Sequence, residues 1–288
     1  MERAKHIGII GLGLMGSSLA LKLKKIGYVS HVYGYDHSAE TVQEALNLQI
    51  IDEGCALKEL IEKADLIIIA IPVDAIKQLL PKVLNLVDKT QVVMDLGSTK
   101  EGIAKQVFSH KNRKNYVACH PIAGTENNGP SAAFSSLFQD KVNIICDREQ
   151  SSKYALEKAL EVVSIAGMRP KYMTSKEHDR HIAFVSHLSH ISSFTLGQTV
   201  LEVEEDEESI FDMAGSGFAS TVRLAKSSPD MWAPIFVENA DNILEVLDAY
   251  IKNLENYKSM IRKADSTLLN QTMKKANKIR KVLDSNAQ

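Results

Sequence analysis

His6-Ile7-Gly8-Ile9-Ile10-Gly11-Leu12-Gly13-Leu14-Met15-Gly16 decides the fold of this chain. A short strand-like segment, His6–Ile10, runs into a Gly-x-Gly-x-x-Gly turn. Leu14, Leu19, Leu21, Leu23 and Ile26 then recur at helical spacing, with Lys22, Lys24 and Lys25 on the other face. Gly11 permits the tight turn, Gly13 lets backbone approach a pyrophosphate, and Gly16 lets the helix pack on the sheet. The helix N-terminus then faces the phosphates, with Leu14 and Met15 inside the same phosphate-facing turn. Gly27 follows as a helix-ending glycine. A second strand, His31–Tyr35, leads to Asp36, 20 residues after Gly16. A carboxylate there can accept from both ribose hydroxyls of NAD and would repel the 2′-phosphate of NADP. His37 and Ser38 follow it rather than an arginine, which favours NAD over NADP.

Ala64–Ala70 is almost continuously apolar, as expected of a parallel strand buried on both faces. Gln91–Asp95 and Tyr116–Cys119 repeat the pattern after intervening helices, and Val142–Cys146 and a helix over Lys153–Ala166 complete the half. The rhythm predicts an α/β fold with a Rossmann-like, doubly wound, mostly parallel sheet. Ligands sit at strand ends in such sheets, which brings in two more segments. One is Ala70-Ile71-Pro72-Val73, where Ile71 and Pro72 border the cofactor. The other is Asp95-Leu96-Gly97-Ser98-Thr99-Lys100, where Ser98 either caps the following helix or meets a ligand.

From Ser175 onward strand signals vanish and helices are expected over Lys176–Val200, Ala233–Glu255 and Tyr257–Leu283. The expected division is a dinucleotide-binding domain over residues 1–174 and an all-α domain over residues 175–288. Ile243, Leu244, Val246, Leu247, Tyr250 and Ile251 form a broad apolar stripe that either closes a monomer core or makes a helical dimer interface; the dimer is favoured. The acidic run Glu202 to Glu208 reads as a solvated loop or helix end.

The chain's 288 residues fit two domains at about 150 residues each. Lys and Arg number 34 against 36 Asp and Glu, a formal charge of −2, which argues against a nucleic-acid partner. The strongest apolar run, Leu66 to Val73, is far short of the roughly 18 residues of a membrane span. Met1-Glu2-Arg3-Ala4-Lys5-His6 lacks the apolar stretch of a secretory signal, so a cytoplasmic protein is expected. Cys55, Cys119 and Cys146 show no metal-like spacing, and Cys119 beside His120 reads as a buried strand-end thiol rather than a nucleophile.

His120-Pro121-Ile122-Ala123-Gly124-Thr125-Glu126 follows a buried strand directly, which sets His120 at the strand's C-terminal end beside an expected nicotinamide. Histidine titrates near pH 6.5 unperturbed and suits a general base at physiological pH. The segment, with Ser98 in its Asp-Leu-Gly-Ser-Thr-Lys turn, resembles the prephenate dehydrogenase family of tyrosine biosynthesis. Further matches are Glu177-His178-Asp179, Ser186-His187-Leu188-Ser189-His190, Gly215-Ser216-Gly217-Phe218 with Thr221-Val222-Arg223-Leu224-Ala225, and Pro229-Asp230-Met231-Trp232 through Glu238-Asn239. The resemblance spans about residues 6 to 255. It departs at Ser220, where the family commonly carries an acidic residue.

What the resemblance implies is NAD-dependent oxidative decarboxylation of prephenate. His120 would take the ring hydroxyl's proton, and Ser98 would bond His120 or that hydroxyl. Arg223 would grip a substrate carboxylate, its fork matching bidentately where lysine would not, against the plainer reading of a helix salt bridge. His190 would contact the substrate side chain, Thr125 and Glu126 would border the entrance, and Ser216 would lie on the substrate side. Trp232 would be a packing anchor near the site, and His178 and His187 would either join His190 at the site or be core or inter-domain histidines. The three histidines 178, 187 and 190 lack a clear fourth ligand, so no metal is expected. Arogenate dehydrogenase remains an alternative. A β-hydroxyacid dehydrogenase also shares the glycine turn and helical half, but its lysine motif is missing. A non-catalytic NAD-binding regulator would leave His120, Ser98, His190 and Arg223 unexplained.

Overall fold

A computed structural model describes residues 6–204 and 213–281. The elements run β1 (His6–Ile10), α1 (Leu14–Lys25), β2 (His31–Tyr35), α2 (Ala39–Asn47), β3 (Glu53–Gly54), α3 (Leu57–Lys63), β4 (Leu66–Ile69), α4 (Val73–Leu86), β5 (Val92–Asp95) and α5 (Glu101–Val107). They continue through β6 (Tyr116–Pro121), β7 (Val142–Cys146), α6 (Lys153–Ile165), β8 (Arg169–Met173), α7 (Ser175–Ile182), a π-helical turn (Ala183–His187) and α8 (Leu188–Glu204). The last are α9 (Ser216–Val222), α10 (Pro229–Glu238), α11 (Ala240–Arg262) and α12 (Ser266–Ala276). The chain divides into two compact units after Ala240.

The eight strands form one sheet in the order β3-β2-β1-β4-β5-β6-β7-β8, parallel throughout except between β6 and β7. Among the described residues only helices follow it, so the expected fold class is the observed one. Period-two alternation divides the apolar strands between two faces. Ile9, Ile68, Met94 and Val117 join the core beneath α1 and α6, whereas Ile67, Ile69, Val93 and Ala118 join the core with α3 and α4. Each of these Ile, Val and Met side chains contributes roughly 1.5–3 kcal/mol by leaving water. The register aligns Ile10 with Ile69, Ile69 with Asp95 and Asp95 with Ala118. Gly11, Ala70 and Leu96 therefore lie just past one level line across the sheet, and His120 lies two residues past it.

Four details correct the sequence reading. A two-residue strand, β3, and an edge strand, β8, were not expected. β8 carries Pro170 and four exposed residues, so it lacks the apolar alternation that marks a strand, and an edge position tolerates the proline. The single helix expected from Ala233 is two helices, because Pro229 starts α10 at its first turn and Asn239 ends it. The break expected near residue 256 falls instead at Lys263–Asp265, where Ala264 has a φ of 52° and Asp265 caps α12 by accepting from the Leu268 N–H at 2.9 Å. Residues 205–208 of the acidic run, the segment 1–5 and the end of the helix expected to reach Leu283 lie outside the described residues.

Within the first unit, α10 packs on α4. Lys77 donates to Glu238 at 2.7 Å, and Val73, Trp232 and Ile235 form a small apolar cluster. Among the described residues no helix is long and apolar enough to cross a membrane.

Candidate active site

The glycine turn opens the site. Gly11 has a φ of 95°, and a Cβ there would strike the Ala70 carbonyl and Ile71. One at Gly16 would strike the Gly11 carbonyl, so both positions exclude any larger residue. Gly13 is the opposite case: nothing stands within 4 Å of where its Cβ would be. Gly13 is also the N-cap of α1, with no side-chain cap and no acidic residue in the first turn. The free space and uncapped N–H groups together make a cradle that fits a pyrophosphate. Leu14 is buried in the core, so only its backbone can face that cradle, while Met15 is half-buried. Asp36 accepts from the Leu12 N–H at 2.9 Å and the Ser38 N–H at 3.1 Å, and His37 lies 2.9 Å from it. Its carboxylate is thereby fixed beside the turn. Ile71 touches the turn and Pro72 is the exposed N-cap of α4.

At the other end of the same sheet edge His120 is buried, with its Nδ1 2.8 Å from His178 Nε2. His178 Nδ1 is 2.7 Å from Asp179 Oδ1. A carboxylate can only accept, so His178 donates from Nδ1, and its Nε2 can then accept from the His120 Nδ1–H. The chain of bonds leaves the His120 Nε2 lone pair free. Burial first, then the neighbouring His178, Lys100 and His187, hold His120 well below the ordinary histidine range. It is therefore a neutral proton acceptor at physiological pH. Asp179 also accepts from the backbone N–H of Lys100 at 2.7 Å and of Glu101 at 2.8 Å, which caps α5 from α7. That leaves Ser98 out of the cap: the N-cap residue is Lys100, whose side chain makes no capping bond. Ser98 is half-buried on the turn after β5, and no hydrogen bond joins it to His120.

The sequence motifs contain His178 and Asp179, but sequence reasoning left His178 divided between a site and a core role and gave Asp179 no role of its own. A local signal was present in Thr174-x-x-Glu177, a capping box that starts α7 and sets its phase. The π-helical turn then re-phases the chain between α7 and α8. His187, fully buried in that turn, has its Nδ1 3.1 Å from Asn239 Nδ2, which also donates to the Asp179 carbonyl at 2.7 Å. His187 is thus a core histidine behind the relay, and burial pushes it down to about 4.

His190 stacks on Trp232 at a ring separation of 3.5 Å, its Nδ1 3.0 Å from the Ser186 carbonyl. Burial lowers its pKa, and the Arg223 guanidinium adds to that. Arg223 is half-exposed and lies 3.5 Å from Glu126, in the loop that follows β6. Arg223 and the His120 loop therefore meet through that ion pair. Thr125 is exposed, its hydroxyl accepting from the Asn127 N–H at 3.2 Å. Ser216 is exposed at the start of α9 and bonds to none of the other candidates. Cys119 is fully buried and burial pushes its thiol up to about 12, which removes it as a nucleophile.

Comparison with known proteins gives the family. Residues 19–171 match the family model described as prephenate dehydrogenase, nucleotide-binding domain. Residues 174–275 match the model described as prephenate dehydrogenase, dimerization domain. A cyclohexadienyl dehydrogenase of Zymomonas mobilis is 33% identical over 97% of this chain and 96% of its own length. A prephenate dehydrogenase of Lactococcus lactis is 30% identical over 97% of this chain and 78% of its own. The crystal structure of an Aquifex aeolicus prephenate dehydrogenase, in complex with hydroxyphenyl propionate and NAD+, superposes with a TM-score of 0.87 at 30% identity, over 96% of this chain and 98% of that one. The chain, an oxidoreductase with a Rossmann-like nucleotide-binding half, belongs to the prephenate dehydrogenase family.

Proposed function

We propose that this protein catalyses the NAD-dependent oxidative decarboxylation of prephenate to 4-hydroxyphenylpyruvate and carbon dioxide, as a cytoplasmic homodimer built through its helical half. The dinucleotide-binding part is residues 1–174 and the substrate and dimer part is residues 175–288. The observation that carries the reading is the His120–His178–Asp179 chain at the sheet edge that also bears the pyrophosphate cradle.

The cofactor's contribution is to take hydride from the ring carbon that bears the hydroxyl. His120 Nε2 accepts the hydroxyl proton as that carbon becomes a carbonyl, and His178 accepts the hydrogen bond from the imidazolium so formed. The carbonyl makes loss of the ring carboxylate an aromatisation. The bond pair to the departing carbon dioxide enters the ring, and the oxygen recovers the proton from His120. A base so placed contributes roughly 10²–10⁴ in rate. Ser98, on the turn after β5, would bond that hydroxyl or His120. Arg223 leaves Glu126 for a substrate carboxylate, for which a guanidinium is the better-shaped partner. His190, held flat by Trp232, and Thr125 and Ser216 line the substrate side. Gly11, Gly13, Gly16, Leu14, Met15, Ile71 and Pro72 border the dinucleotide. Asp36, already fixed beside the turn, favours NAD over NADP.

The test is turnover of prephenate and of arogenate, each with NAD and with NADP, followed by the absorbance of the reduced nicotinamide. Prephenate with NAD should be the fastest pair and 3-hydroxyisobutyrate inert. Faster turnover of arogenate reassigns the substrate, and no turnover of either ring compound ends the reading.

A further inference from the structure

Beneath the proton acceptor lies an ion pair that none of these steps uses. Lys100 and Asp95 have no exposed side-chain surface and are in direct contact. Asp95 Oδ1 accepts from the Tyr116 hydroxyl at 2.7 Å and the Cys119 N–H at 3.3 Å, while Oδ2 accepts from the Gly97 N–H at 2.8 Å and from the Lys100 ammonium. The turn that carries Ser98 is folded around this pair. A Cβ at Gly97 would stand 2.8 Å from Asp95 Oδ2, 2.9 Å from Ile76 Cδ1 and 3.4 Å from Lys100 Nζ. The Lys100 backbone N–H meanwhile donates to Asp179 Oδ1, the oxygen that orients His178. One residue thus grips the end of β5 with its side chain and the His178–Asp179 pair with its backbone.

A buried ion pair is weak evidence for stability, since apolar residues of the same volume often do as well or better. Its place against the site calls for another account. We propose that the Lys100–Asp95 pair is a positioning device for His120: it sets the Ser98 turn and the His178–Asp179 pair against the imidazole, and it keeps a buried positive charge near that ring. The inference rests on His120 being the proton acceptor.

The charged and titratable groups that act on His120 are Lys100 from the turn after β5, His178 from α7 and His187 from the π-helical turn, with Asp95 bonded to Lys100 and Asp179 to His178. Lys100 opposes protonation of His120, as do His178 and His187. Removing the cation should therefore raise the pH at which His120 titrates.

Asp95→Asn with Lys100→Met removes both charges together and leaves no lone buried ion. The readouts are the imidazole NMR titration of His120, assigned by its loss in His120→Asn, and the pH profile of kcat/KM for prephenate with NAD. The double variant should titrate higher by on the order of one pH unit, with the acid limb of kcat/KM moving the same way and kcat falling more than KM rises. Lys100→Arg keeps the charge and should keep the wild-type profile. Lys100→Gln, which can still bond Asp95, should show the upward shift if the double variant does not fold. A folded neutral variant with an unmoved His120 titration overturns the proposal. Loss of the prephenate reading would show separately, as a wild-type protein that turns over neither ring compound, and the NMR arm does not depend on it.

Discussion

One edge of a single sheet carries two mouths built in different ways. The dinucleotide mouth is made from backbone: two crowded glycines, one open glycine, an uncapped helix start and a carboxylate fixed to a residue 24 positions away. The proposed reaction end is made from side chains. His120 meets His178 across 58 positions, Lys100 meets Asp179 across 79 and Glu126 meets Arg223 across 97. The first mouth depends on shape; the second titrates and depends on distant elements arriving in register.

The largest expected effect separates the two directly. His120→Asn removes the acceptor and should lower kcat by roughly 10²–10⁴. The dissociation constant for NAD, measured by fluorescence titration, should stay within about twofold. A comparable loss of NAD affinity would mean that the two ends are not independent.

Acid should also act on one end alone. His187 falls from an unfolded value of 6.5 to about 4 in the fold, so the unfolded chain binds more protons between those values. The stability contribution is whole above pH 6.5 and is lost as pH falls toward 4, roughly 3 kcal/mol at about 1.4 kcal/mol per unit. Urea midpoints taken from pH 7 to pH 4.5 should decline accordingly. His187→Gln should reduce the slope without abolishing it, because His120 is lowered in the same sense. An unchanged slope would place the titration elsewhere.

The same contrast explains what could be read from the sequence. The geometry of the glycine turn and Asp36 was legible because it is set within one strand-turn-helix unit and one strand more. Buried strands were legible because apolar runs have few other uses. β8 was not, since an exposed edge strand with Pro170 carries no apolar alternation. Ser98 as cap or ligand was undecidable, because the true cap of α5 is Asp179, which lies in another helix. His178 could be recognised as part of a motif, but its role needs the pairing with His120, which sequence spacing cannot supply.

Arg223 tests whether the reaction end reaches into the helical half. Arg223→Ala should raise KM for prephenate about ten- to hundredfold, the equivalent of about 1.5–3 kcal/mol for a charged hydrogen bond. NAD affinity should not change. The existing Glu126 contact is half-exposed, so its loss alone costs little stability. Equal weakening of substrate and dinucleotide would make Arg223 a structural residue instead.

The smallest effect is the sharpest on the dinucleotide side. Gly11 and Gly13 are two residues apart, yet a methyl group at the first meets backbone and a φ of 95°, while at the second it meets empty space. Gly11→Ala should lower stability by roughly 1–3 kcal/mol. Gly13→Ala should leave the melting temperature of the apoprotein within a degree or two, because no atom has to move. Its methyl group instead enters the volume that a pyrophosphate would fill, so NAD affinity should fall several-fold while stability does not. If Gly13→Ala binds NAD like the wild type, the open space beside α1 is not the phosphate cradle, and the backbone-built mouth must be sought elsewhere along the edge.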